Sequence, residues 1–142
     1  SDWGGITNFG ISLRFLRGLN SEAKAADIRA MTQEKAIELY RQFFWVPSGI
    51  EQINDQPLAD KLFDLAVDMG VKNAIRLLQI ALDVIEQDGI LGPLTIRAAN
   101  DENPYVLLRF VRLEGIRYYY NLAQVQPSQR GLLRGWTGRC LA

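Results

Sequence analysis

The side chains able to do acid–base or nucleophilic chemistry are unevenly supplied in this chain. Histidine is absent, and Cys140 is the sole cysteine. That removes Ser-His-Asp and Cys-His catalysis, internal disulfides and zinc sites built on imidazole, and leaves carboxylates as the natural acids and bases. Two stretches set such groups beside glycines. In "SDWGGITNFGIS", residues 1–12, Asp2 and Thr7 stand five positions apart and bracket Gly4-Gly5, and Gly10-Ile11-Ser12 leads toward a helix. In "DGILGPLT", residues 88–95, Asp88-Gly89 suits a turn, Gly92 permits close backbone approach and Pro93 can restart a helix. Turn and capping duties account for these residue types on spacing alone. Asp83, Glu86 and Asp88 lack the alternating ligand pattern of a calcium loop.

The remaining carboxylates read as surface groups. Asp60, Asp64 and Asp68 recur at four-residue spacing on one helical stripe, where like charges mark a solvated face. Glu34, Glu38 and Glu51 fall on or near polar faces, and Glu114 lies near Arg112 and Arg117, as ion-paired residues do. The consecutive Tyr118, Tyr119 and Tyr120 point around a helix, so at least one faces the core and another can meet a ligand. Trp45 and Trp136 read as core anchors.

Helices must position these groups. Ser12 caps a short helix carrying Leu13, Phe15, Leu16 and Leu19, and residues 21–31 read as connector with one turn of helix at most. Thr32 caps a second helix bearing Ala36, Ile37, Tyr40 and Phe44, stopped by Pro47-Ser48-Gly49. A third spans 57–69 and closes on Gly70, and a fourth carries its apolar face from Val71 to Ile85. Pro93 starts a fifth through Asn100, Pro104 a sixth to about Val125, and Pro127-Ser128 a seventh through Arg139. No segment sustains period-2 alternation. The pattern predicts an all-α fold of about seven helices, with at most a short β-hairpin at the N-terminal turn.

Composition sets outer limits. The 142 residues, 48% of them hydrophobic, suffice for one domain with a sizeable core. Sixteen basic and sixteen acidic side chains cancel, so no bulk field draws the protein to nucleic acid or anionic lipid. No apolar run approaches the roughly 20 residues of a membrane-spanning helix, and the first residues do not read as a signal peptide. Neither a low-complexity linker nor an internal repeat separates two halves.

Several ordered segments carry a family likeness. "DWGGITNFGIS" resembles the "D-P-G-G-x-T-x-x-G-I-S" segment of the glycoside hydrolase family 108 lysozymes, phage-type and bacterial N-acetylmuramidases also known as secretion activators. "MTQEKAIELYRQFFWVP" resembles that family's "T-x-x-x-A-x-x-x-Y-x-x-x-Y-W-x-P", "LADKLFDLAVDMG" its "LFD-x-A-V-N-x-G", and "RGWTGR" its "RGW-x-N-R". "LLQIALDVIEQDGILGPLTIRAAN" is similar to the "LQ-x-ALG...DG-x-x-GP-x-T" segment of the peptidoglycan-binding half that follows in those proteins. Trp3 stands where the family has proline, and Gly138 where it often has asparagine.

The resemblance implies a compact lysozyme-like peptidoglycan hydrolase, with residues 1–71 as the catalytic region and 72–142 as the peptidoglycan-binding region, packed as one body. In the family a glutamate of an "E-G-G" motif lies about nine positions before the aspartate and joins it and the threonine in one cleft. Asp2 and Thr7 match the second and third members; the first would precede Ser1, so the chain reads as a shortened or an inactive form. Trp3, Gly4, Gly5, Asn8, Asp64 and Tyr119 are the implied substrate-binding residues. No metal or organic cofactor is implied. The partner is the glycan strand of peptidoglycan, with no nucleic acid and no membrane span, and the place of action is the bacterial cell wall or periplasm. Two other classes stay open on the residues: a wall-binding or secretion-associated protein with this fold but no acid, and a helical adaptor for another protein.

Overall fold

A computed structural model describes residues 7–84 and 86–142, without the side chains of Pro127 and Gln129. The chain divides into two units, Ser1–Phe43 and Phe44–Ala142.

The first unit opens on an antiparallel hairpin of β1 (Thr7–Asn8) and β2 (Ile11–Ser12), with Thr7 opposite Ser12 and Asn8 opposite Ile11. Its two turn residues, Phe9 (φ 52°) and Gly10 (φ 78°), both take left-handed conformations, as a two-residue hairpin with the native twist requires. Ser12 then caps α1 (Leu13–Leu19), its Oγ accepting the Phe15 N–H at 3.0 Å. The expected connector contains a five-residue helix, α2 (Ala25–Arg29), whose start is fixed by Asp27 accepting the Lys24 N–H at 2.7 Å. Thr32 caps α3 (Gln33–Tyr40) through the Lys35 N–H. Ile11, Ile28, Met31, Ala36 and Leu39 form the small core of this unit, flanked by Leu13, Phe15, Leu16 and Tyr40.

The second expected helix does not run unbroken through Phe44. A π-helical turn, Arg41–Trp45, follows α3, and α4 (Val46–Ser48) ends at a left-handed Gly49. After a 3₁₀ turn, Ile50–Gln52, the helices are α5 (Gln56–Met69), α6 (Val71–Ala81), α7 (Pro93–Asp101), α8 (Pro104–Val125) and α9 (Leu133–Leu141). Asp55 and Asn103 cap α5 and α8 with their side-chain oxygens. The seventh expected helix begins instead as a 3₁₀ segment, Pro127–Leu132, before α9. The fourth stops at Ala81 rather than Ile85, because Asp83 turns left-handed at φ 56°; Ile85 lies outside the described residues.

Leu58, Leu62 and Leu65 of α5, Ile75 and Leu78 of α6, and Leu107 and Val111 of α8 fill the core of this unit. The tight α5–α6 junction is Gly70, at φ 92°. Gly115 lets α8 approach α9, since a Cβ there would come within 2.9 Å of the Cys140 sulfur. The fold is all-α with one short two-stranded sheet, and no described helix is long and apolar enough to cross a membrane.

Candidate active site

The hairpin is fastened on two sides. The half-buried Asn8 donates its side-chain amide to the carbonyls of Ile28 (3.1 Å) and Met31 (3.4 Å), tying β1 to the end of α2. Tyr40, from α3, donates its hydroxyl to the Phe9 carbonyl at 3.4 Å, and a Cβ at Gly10 would collide with that same hydroxyl. The "G-I-S" and "T-x-x-x-A-x-x-x-Y" resemblances thus acquire physical content. Gly10 allows the turn, Ile11 is core, Ser12 and Thr32 are caps, Ala36 is core, and Tyr40 secures the turn.

Thr7 is exposed, and its hydroxyl has no hydrogen-bond partner among the described residues. A fixed backbone therefore presents a polar group with both donor and acceptor capacity available. Asp2, Trp3, Gly4 and Gly5 lie outside the described residues. Sequence reading overlooked Tyr40 as a positioning residue, though its place in the family-like motif was the available signal.

The second unit gives its two candidates different environments. Asp64, with about half of its side chain exposed, pairs at 3.6 Å with Lys61, a nearly buried lysine whose Nζ also donates to the Arg139 carbonyl at 2.8 Å. One turn on, Asp68 pairs with Arg139 at 3.4 Å, and burial raises its carboxyl above the ordinary value against the opposing pull of Arg139. Tyr119 is 5% exposed and stacks on Trp136 with ring centroids 4.9 Å apart, so in this arrangement the ring is part of the core. Its burial pushes the phenol well above its usual range. Tyr120, its neighbour, is the exposed member of the triplet. Trp45 packs edge-on against Phe63 at 5.4 Å.

The second glycine-rich stretch is organised by Gln79, which is 1% exposed. Its Nε2 lies 2.9 Å from Asp88 Oδ1, 3.1 Å from the Ile90 carbonyl and 3.2 Å from Thr95 Oγ1, and its Oε1 accepts the Gly89 N–H at 2.9 Å. Asp88 also accepts the Ile90 N–H, and these bonds hold its carboxyl below the ordinary aspartate value. Gly89 sits at φ 75°, where a Cβ would come within 2.7 Å of the Lys72 carbonyl oxygen. Leu78 is core and Pro93 opens α7, so the turn and capping duties expected of this motif are the ones it performs.

Catalytic polarity is otherwise sparse. Glu38 is bound by Arg41 at 2.8 Å, which holds its carboxyl below the usual value, and Glu114 pairs with Arg117 at 3.4 Å. Burial raises the Cys140 thiol, the opposite of what a nucleophilic cysteine needs. Among the described residues, no three carboxylate or thiol groups converge as metal ligands.

The glycosyl hydrolase 108 family model matches residues 1–70, and the predicted peptidoglycan domain model matches residues 73–141. The structure of Brucella abortus SagA superposes with a TM-score of 0.81 at 24% identity, over 98% of this chain and 77% of that chain, and so has the same fold. No curated protein matches the chain. With the two models accounting in order for nearly all of its residues, the chain is a glycosyl hydrolase 108 region followed by a predicted peptidoglycan domain.

Proposed function

We propose that this lysozyme-type glycoside hydrolase cuts the glycan strand of peptidoglycan as an N-acetylmuramidase. The observation that carries the reading is the ordered pair of family matches, a glycoside hydrolase followed by a peptidoglycan domain. Cleaving the bond between N-acetylmuramic acid and N-acetylglucosamine requires a carboxylic acid, its pKa raised by its surroundings, to protonate the departing oxygen. In this reading a glutamate outside the 142 residues supplies that proton. Asp2 stabilises positive charge at the anomeric carbon or holds a water there. Thr7, exposed on the secured hairpin, holds the attacking water or a sugar hydroxyl.

The other candidates have supporting parts. Gly4 and Gly5 let the backbone lie against a saccharide, and Trp3 offers it a wall. Asn8 keeps the hairpin in place through its bonds to α2. Asp64 supplies a carboxylate steadied by Lys61, and Tyr119 contributes by packing. The site of action is the wall itself, on its periplasmic side.

The test is clearing of a peptidoglycan suspension by the full-length protein, with identification of the new reducing ends. We expect muramic acid ends. Glu→Gln at the "E-G-G" glutamate or Asp2→Asn should lower the rate about a hundredfold or more. Undiminished clearing by both variants, or products ending in glucosamine, would overturn the reading.

A further inference from the structure

A cavity lies in the second unit, between the end of α6 and the start of α7. It has a volume of about 610 Å³ and is lined by the 79–95 loop, with Asp83, Glu86 and Asp88 as its carboxylates and Ile90, Pro93 and Leu94 among its apolar walls. That volume suits a ligand of small-peptide size. Ile90, on the loop, and Leu94, in the first turn of α7, are 65% and 81% exposed, so two large apolar side chains stand free beside the cavity.

The polar lining divides into two classes. Gln79 bonds both Asp88 and Thr95, and these contacts hold the wall in shape. Asp83 and Glu86 have side chains with no hydrogen bond or ion pair among the described residues, and both border the cavity. Among the described lining residues there is no lysine or arginine; Lys72 and Arg76 both lie against Gly89, outside the lining. The cavity is thus an apolar trough edged with anionic charge, and its complement is a short apolar chain ending in an ammonium group.

We infer that this cavity binds the peptide stem of peptidoglycan, seating aliphatic side chains against Ile90, Pro93 and Leu94 and the stem's diamino-acid ammonium between Asp83 and Glu86. The inference rests on the reading of the chain as a peptidoglycan hydrolase and adds to it a second contact. The catalytic hairpin handles the sugars, whereas the second unit recognises the peptide hung from them. Asp88 contributes charge while Gln79 and the Ile90 N–H fix its position.

The experiment titrates the full chain with synthetic L-alanyl-γ-D-glutamyl-L-lysine and with the same peptide acetylated on the lysine Nζ, following backbone amide shifts by NMR. The free amine should shift Gly89, Ile90 and Leu94, and acetylation should weaken binding about tenfold, as loss of a charge-assisted contact does. An Asp83→Asn/Glu86→Gln double variant should bind both peptides equally weakly while keeping its amide spectrum elsewhere; asparagine tolerates the left-handed backbone at position 83. Equal affinity for the two peptides in the unaltered protein, or shifts confined to other residues, would overturn the inference. Hydrolysis of stem-free glycan strands by the full-length double variant separates the two readings. It should stay at the unaltered rate if the hydrolase assignment holds, whatever becomes of peptide binding.

Discussion

The two glycine-rich stretches look alike in sequence, each setting an aspartate and a threonine around closely spaced glycines, yet the structure treats their threonines in opposite ways. Thr95 is 8% exposed and bonded to Gln79, while Thr7 is exposed with no partner among the described residues. Both loops are held by long side chains from a neighbouring helix, Gln79 of α6 in one case and Tyr40 of α3 in the other. In the 88–95 loop Gln79 takes up the threonine hydroxyl together with Asp88 and two backbone groups. In the hairpin Tyr40 grips a backbone carbonyl and Asn8 reaches α2, and the threonine hydroxyl is left available. Polar residues that fold a loop are therefore distinguished from those still open to a ligand by whether their hydrogen bonds are already made.

The largest test of this contrast is Gln79→Ala. It leaves the Gly89 N–H and Thr95 hydroxyl without their buried partner, and we expect a loss of about 3 kcal/mol in urea denaturation. In the same variant the Asp88 carboxyl should titrate closer to the ordinary aspartate value. Since its folded value is depressed, its contribution to stability is present above the unfolded value and lost as pH falls through the folded one. A carbon-13 titration of Asp88 checks the direction. An unchanged midpoint in urea would remove Gln79 from the centre of the loop.

The glycines give an intermediate effect and a ranking. Both glycines sit at positive φ, 75° at Gly89 and 78° at Gly10, but at Gly89 an added Cβ also meets the Lys72 backbone oxygen, whereas at Gly10 it meets the movable end of the Tyr40 side chain. Gly89→Ala should cost about 2 kcal/mol and Gly10→Ala about 1 kcal/mol, read as shifts in denaturation midpoint. The reverse order would show that Tyr40 is held more rigidly than a backbone carbonyl. The smallest stability effect separates the threonines themselves. Thr95→Val should cost about 1 kcal/mol and Thr7→Val less than about 0.5 kcal/mol. In the full-length protein only Thr7→Val should slow peptidoglycan clearing, by about tenfold.

Much of the fold was legible along the chain. The caps at Ser12 and Thr32, the glycine at the α5–α6 junction, and the prolines opening α7 and α8 are local signals, because capping and φ restriction act within one turn. Sequence reading reached its limit at element ends: it carried one helix through Phe44, where Arg41–Trp45 is a π turn, and another to Ile85, where α6 ends at Ala81. Tyr119 shows the same limit for side chains. Three consecutive tyrosines must point around a helix, but only packing against Trp136 decides which one is buried.

Domain organisation divides in the same way. The two family models meet between residues 70 and 73, while the packing units part after Phe43, because α5 shares a core with α6 and α8 that lie beyond the first model. By itself the sequence determined the helical class and the caps at Ser12 and Thr32, since residue types and near neighbours suffice for each. Only the tertiary structure decided which polar groups are already bonded. Whether Thr7 and Thr95 serve chemistry or folding depends on partners that local sequence does not name: Gln79 lies sixteen positions from Thr95, and Tyr40 thirty-one from Phe9.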